Sequence, residues 1–138
     1  MTNDQTRMTN QGPRINDQDK GEGPAFDLEE RTGKFGDAIV LFAKKVPVNE
    51  ITRSLIGQLV RAATSVGANY VEADDADSKK DFRFKIGLCR REAKETKHWL
   101  RMLSSAEPAL RDEARLLWRE AQELNLIFSA IRRKLDSR

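Results

Sequence analysis

Residues 110–135, LRDEARLLWREAQELNLIFSAIRRKL, place Leu110, Ala114, Leu117, Ala121, Leu124, Phe128, Ile131 and Leu135 at alternating steps of four and three. That spacing puts all eight on one stripe of an α-helix, the seam through which a helix packs against others. Pro108 stands just ahead, where a first-turn proline is tolerated because its missing N–H would have had no partner. One apolar stripe is buried only against neighbouring elements, and the rest of the chain must supply them.

It supplies three more helices. Leu28, Phe35, Ile39, Phe42 and Val46 share a stripe over about Leu28 to Lys45, and Pro47 stops that helix by disfavouring helical backbone at the residue before it. Asn49 is the expected N-cap of a second helix reaching about Ala73, with Ile51, Leu55, Leu59, Ala62, Val66 and Ala73 on one side. After the acidic turn Asp74-Asp75-Ala76-Asp77, Ser78 caps a third, with Asp81 three residues on as an approximate capping box. Its core stripe, over the span to about Ser104, is Phe82, Ile86, Cys89, Ala93, Leu100 and Leu103. No stretch shows sustained period-two alternation. The expectation is an all-α protein, an antiparallel up-down-up-down four-helix bundle over residues 26–138. Gly33, Gly36, Gly57, Gly67 and Gly87 fall inside these helices, each costing about 1 kcal/mol against alanine. Close backbone approach and simple tolerance both account for them.

Residues 1–25 read differently. MTNDQTRMTNQGPRINDQDKGEGPA holds one branched aliphatic residue, Ile15, and cannot bury enough apolar surface to offset the entropy of ordering it. A disordered tail is expected there. The full 138 residues carry one cysteine and one histidine, which excludes a disulfide framework, a cysteine-based zinc site and any histidine-pair metal motif. No apolar run is long enough to span a membrane, and the N-terminus lacks the apolar centre of a signal peptide, so the expected location is the cytoplasm. The net charge of +3 permits a polyanionic partner without demanding one.

The third helix carries the most informative charge pattern. At 100° per residue, Lys79, Lys80, Arg83, Arg90, Arg91, Lys94, Lys97, His98 and Arg101 fall within about 120° of arc, over about 33 Å of helix. The acids Asp81, Glu92 and Glu95 lie on another side. Uninterrupted like charges repel, and an anionic partner would relieve that cost. Lys79, Lys80, Arg83, Arg90, Arg91, Lys94, Lys97 and Arg101 are therefore candidate contacts to nucleic-acid phosphates, with nothing present to read bases. The competing account is a solvated face neutralised by acids of a neighbouring helix, such as Asp112, Glu113, Glu120 and Glu123.

Beside its core stripe the same helix has a second apolar one, Phe84, Leu88, Trp99 and Met102. A helix of a monomeric bundle needs one buried stripe, so the second marks these four as a candidate oligomer interface. On the second helix Gln58, Ser65, Asn69 and Glu72 share one edge with Arg61 close to it, and the five read as a structural polar network whose partners would come from Arg61 to Glu72 or from Asn69 to a neighbouring helix backbone. Glu72 has no nucleophile, metal cluster or phosphate loop near it in sequence, so no catalytic residue and no cofactor is assigned. Asp74, Asp75 and Asp77 lack the glycine and distal glutamate of a calcium loop.

A family resemblance sits on these residues. Pro47-x-x-Glu50, then Gln58-Leu59-x-Arg61-Ala62-Ala63-x-Ser65-x-x-Ala68-Asn69-x-x-Glu72, then Ser78-x-x-Asp81-Phe82 resembles the 23S rRNA intervening-sequence proteins across about residues 26–136. The chain departs from that pattern at Ala73, where a glycine commonly follows the glutamate. The resemblance implies a bacterial four-helix bundle assembling as a ring-shaped homopentamer, with no enzymatic activity attached. A related branch is similar to the accessory protein of diversity-generating retroelements, which implies nucleic acid and a reverse transcriptase or other RNA-processing protein as partners. Two functions are expected from these readings: an oligomeric binder of RNA or DNA backbone, or a scaffold that binds protein alone.

Overall fold

Four helices form where the four apolar stripes run: α1 (Pro24–Lys45), α2 (Thr52–Asp74), α3 (Lys79–Ala106) and α4 (Arg111–Asp136), the last preceded by one 3-10 turn at Pro108–Leu110. The computed structural model describes residues 24–137, and the expected disordered tail lies outside them except for Pro24 and Ala25, which belong to α1. Proline is well suited to a first helical position.

The helix starts are set by side chains bonding to backbone. Asn49 Oδ1 accepts from the N–H groups of Ile51 and Thr52, both at 2.9 Å, while the Asn49 N–H donates to Thr52 Oγ1, also at 2.9 Å. This reciprocal arrangement makes Asn49 the working cap of α2. At α3 the Asp81 N–H donates to Ser78 Oγ at 3.0 Å, as expected of its cap. Helix α2 runs on through the buried Ala73, so the departure from the family pattern there leaves the helix unbroken.

Cross-helix pairs set the directions. Thr32 and Gly36 of α1 lie against Gly67 and Thr64 of α2, in reverse order along the chain. Lys85 of α3 reaches Glu72 near the end of α2, whereas Glu92 and Glu95 reach Arg61 further back. Arg83 meets Asp136 at the end of α4, and Lys97 meets Gln122 nearer its middle. Each helix packs on the next, α1 closes more thinly on α4, and the backbones of the diagonal pairs do not approach. This is the antiparallel up-down-up-down bundle. No described helix is long and apolar enough to cross a membrane.

The core takes Leu28, Phe35, Ile39 and Phe42 from α1, Val46 just after it, and Leu59, Ala63, Val66, Tyr70 and Ala73 from α2. It takes Ile86, Cys89, Ala93, Leu100 and Leu103 from α3, and Ala114, Ala121, Leu124 and Phe128 from α4. Two details depart from the sequence reading. Ile51 is 71% exposed, because its backbone is held in the capping turn ahead of α2; Thr52 is buried in its stead and donates to the Pro47 carbonyl at 2.6 Å. Tyr70 fills the gap that the expected stripe left between Val66 and Ala73. The buried hydroxyls of Thr32 and Thr96 donate to the carbonyls of Leu28 and Glu92, so neither is left unsatisfied.

The glycines divide. A Cβ on Gly67 would sit 3.4 Å from Thr32 Oγ1 and 3.5 Å from the Thr32 carbonyl oxygen, so this position lets α1 and α2 come close. A Cβ on Gly87 would lie 2.5 Å from Arg132 Nη1; its absence makes room for that guanidinium between α3 and α4. Gly33 and Gly57 meet nothing within 4 Å, which is the tolerance reading.

Candidate nucleic-acid interface

Helix α4 decides where the charge of the bundle goes. At 100° per residue, Arg111, Arg115 and Arg119 fall within about 80° of one another, and Glu113 and Glu120 lie about 180–200° from Arg111. Glu113 and Glu120 therefore face α1, whereas Asp136 at the far end pairs with Arg83 of α3. Arg31 donates to both carboxylate oxygens of Glu120, at 2.7 and 2.8 Å, and Lys45 donates to Glu113 at 2.9 Å. Glu120, and beyond it Glu123, raise the Arg31 guanidinium above its ordinary pKa. Part-exposed pairs of this kind are worth about 0–1 kcal/mol each. Their larger effect is to commit Glu113 and Glu120 of α4 to the α1 seam. The expectation that Glu113 and Glu120 could neutralise the basic stripe of α3 is not met, because geometry gives them to α1.

The seam between α3 and α4 is cationic from both sides. Among the described residues its one ion pair is Arg83 Nε with Asp136 Oδ1, at 2.5 Å. Elsewhere α3 meets neutral or basic groups of α4. Lys97 donates to Gln122 Oε1, and its ammonium lies 5.1 Å from the centre of the Trp118 ring. Asn125 Nδ2 donates to the Arg90 carbonyl at 2.9 Å. The Nε groups of Arg90 and Arg132 are buried without a hydrogen-bond partner. Burial, and then Lys94 nearby, push the Lys97 ammonium below its ordinary pKa.

The eight basic residues singled out on α3 therefore split. Lys79, Lys80, Arg91, Lys94 and Arg101 are exposed; Arg83 is exposed but paired; Arg90 and Lys97 are half-buried against α4. Toward the α3 C-terminus the seam opens into a cleft of about 390 Å³, floored by Leu100 and Ala114 and walled by Arg101, Arg111, Arg115, Trp118 and Arg119. None of these four arginines has a carboxylate within 4 Å among the described residues. Reasoning on α3 alone missed the three arginines of α4. Their spacing of four would have revealed them, but Asp112 and Glu123 fall within about 40° of Arg119 on the same wheel and make that helix look electrically mixed.

The other predicted groups are placed as follows. Of the second apolar stripe on α3, Phe84 is 59% exposed, Leu88 and Met102 are half-buried, and Trp99 packs against the core of the bundle while donating from Nε1 to Glu95 at 3.0 Å. Part of that stripe thus serves the bundle itself. The polar edge of α2 is a network with different partners from those expected. Arg61 pairs with Glu92 and Glu95 of α3, and with Gln58 at 3.3 Å; Glu72 pairs with Lys85; Ser65 and Asn69 donate to carbonyls of their own helix. The Arg61–Glu72 pair does not form because eleven residues of helix hold the two about 16 Å apart along the axis, and each meets an opposite charge on α3 instead. No group of acids, histidine and cysteine that could hold a metal occurs among the described residues.

The comparisons agree with this architecture. No curated protein matches the chain. A solved structure from Bacteroides thetaiotaomicron, described as a protein of unknown function from the S23 ribosomal protein family, is 31% identical; the match covers 76% of this chain and 97% of that one, with a TM-score of 0.69. The family of 23S rRNA-intervening sequence proteins matches residues 27–130. Four helices, their order and that match together place the chain as a member of the 23S rRNA-intervening sequence protein family.

Proposed function

We propose that the protein is a non-catalytic, oligomeric accessory protein that holds RNA or DNA by its phosphate backbone. The observation that supports this reading is the α3/α4 seam, where Lys94, Arg101, Arg111, Arg115 and Arg119 have no carboxylate within 4 Å among the described residues while Glu113 and Glu120 of α4 serve α1. Lone guanidinium groups in a fixed row match phosphate oxygens in charge and in fork geometry. Oligomerisation, with five subunits as the expected number, would multiply a weak row by holding copies of it together. Phe84, the most exposed member of its stripe, is the side chain best placed to join subunits.

The test is binding of labelled duplex and single-stranded oligonucleotides to the full chain across a salt series. Affinity should fall linearly on a log–log plot, independent of sequence, and replacing Arg91, Lys94 and Arg101 together by glutamine should flatten the duplex slope by about 2.7, from about 0.9 per lost phosphate contact. Light scattering on the same sample should give a mass several times 15.7 kDa. A tight complex indifferent to salt, or no complex at low salt, would refute backbone binding and leave the protein-scaffold reading.

A further inference from the structure

The cleft between α3 and α4 combines two features that a surface for duplex backbone does not need. It has an aromatic wall, Trp118, 38% exposed, and an apolar floor. We propose that it seats an unpaired nucleotide of a single strand, the base against the indole of Trp118 and the neighbouring phosphates on Arg101, Arg111, Arg115 and Arg119. The proposal rests on the backbone-binding reading above and adds to it the class of strand.

Three observations carry it. The first is the union of chemistries: four guanidinium groups unpaired among the described residues surround one exposed aromatic ring, and no acid lines the cleft. Arginine forks recognise phosphate, and any base presents a face that stacks on an aromatic ring, so the pair of features suits a nucleotide without selecting its sequence. The second is size and access. At about 390 Å³ the cleft falls in the range of sites that enclose small organic ligands, about 300–1,000 Å³. Lys97, whose ammonium lies 5.1 Å from the centre of the indole, is not among the residues that line the cleft. The third is length. Arg111 to Arg119 spans about 12 Å along α4 at 1.5 Å per residue, more than the single phosphate of a mononucleotide can use. In a duplex the base faces are already stacked on each other, and Trp118 would have nothing to receive.

The experiment compares a labelled twelve-residue oligouridine, a twelve-base-pair duplex and uridine monophosphate as competitor, all with the full chain at one salt concentration. Trp118→Ala should weaken the oligouridine complex about tenfold or more while leaving its salt slope unchanged, and should leave duplex affinity within about twofold; Trp118→Phe should retain most of the single-strand affinity. Arg115→Gln, at an exposed position, should instead flatten the oligouridine slope by about 0.7 and carries the test should the alanine variant lose its helical circular dichroism. Equal losses on both strands, no loss on oligouridine, an unchanged slope in Arg115→Gln, or competition by the mononucleotide at concentrations where oligouridine itself saturates would overturn the assignment. In those cases salt-dependent binding of wild type persists and the broader function stands. Failure of wild type to bind either strand at low salt removes both.

Discussion

Truncating Phe128 to alanine should lower the free energy of unfolding by about 3–5 kcal/mol, the usual range for removing a buried aromatic ring. Phe128 is fully buried on α4, and its ring centre lies 6.0 Å from that of Tyr70 on α2, tilted by 44°. These two helices are diagonal in the bundle, and their backbones do not approach each other. Only large side chains fill the space between them. Alanine there removes the transfer free energy of the ring and leaves a cavity that the packed helices close only in part. Tilted aromatic pairs contribute about 0.5–1.5 kcal/mol beyond the area they bury, which is lost too. Urea unfolding at fixed protein concentration should show a lower midpoint with an unchanged slope against denaturant. Leu126→Ala, 51% exposed two residues earlier, should change stability by no more than about 0.5 kcal/mol. Comparable effects at the two sites would contradict the burial described for Phe128.

Stability should also fall as the pH rises from 9 toward 12. Burial pushes the Cys89 thiol from 9.0 up to about 12. Burial, followed by the charge of Asp74, pushes the Tyr70 phenol from 10.0 up to about 12. Both groups thus keep a proton in the folded chain that the unfolded chain has released. A folded pKa raised in this way favours folding below the unfolded value, and that contribution is lost as the pH climbs through the folded one. Cys89 acts alone from 9 to 10 and both act from 10 to 12, each with a limiting slope of about 1.4 kcal/mol per pH unit. Lys97 opposes them. Its lowered pKa lets the folded chain shed a proton first, so its share of stability rises as the pH approaches 10.5. Lys85, raised above its ordinary pKa by its bond to Glu72, acts with Cys89 and Tyr70 above pH 10.5, and the net change is a loss. Urea midpoints at pH 8.5, 9.5, 10.5 and 11.5 should fall progressively, and Tyr70→Phe should flatten the decline above pH 10 while leaving the interval below it unchanged. A flat profile between pH 9 and 11.5 would contradict the protonation of both groups in the core.

The fold itself was open to inspection in the amino-acid order. Apolar steps of four and three in α4, the proline at 47, the Asn49 and Ser78 caps and the position of Pro108 are local signals, and each acts through the few residues beside it. Helix number, type and antiparallel order follow from such signals because short turns leave few other ways to cover four stripes. Where the local reading slipped, the cause was equally local: the Asn49 cap takes Ile51 out of the core and gives its place to Thr52. The candidate site is another matter. A helical wheel says which residues share a face, but not which neighbour lies against that face. The basic stripe of α3 was visible, yet its outcome depended on whether the acids of α4 turned toward it. Glu120 and Glu113 turn to Arg31 and Lys45 of α1, and Arg111, Arg115 and Arg119 are left beside Arg101, around Trp118. Periodicity along one chain segment determined the bundle, whereas the distribution of charge between seams was decided by the rotation of each packed helix about its own axis, a quantity that exists only once the helices touch.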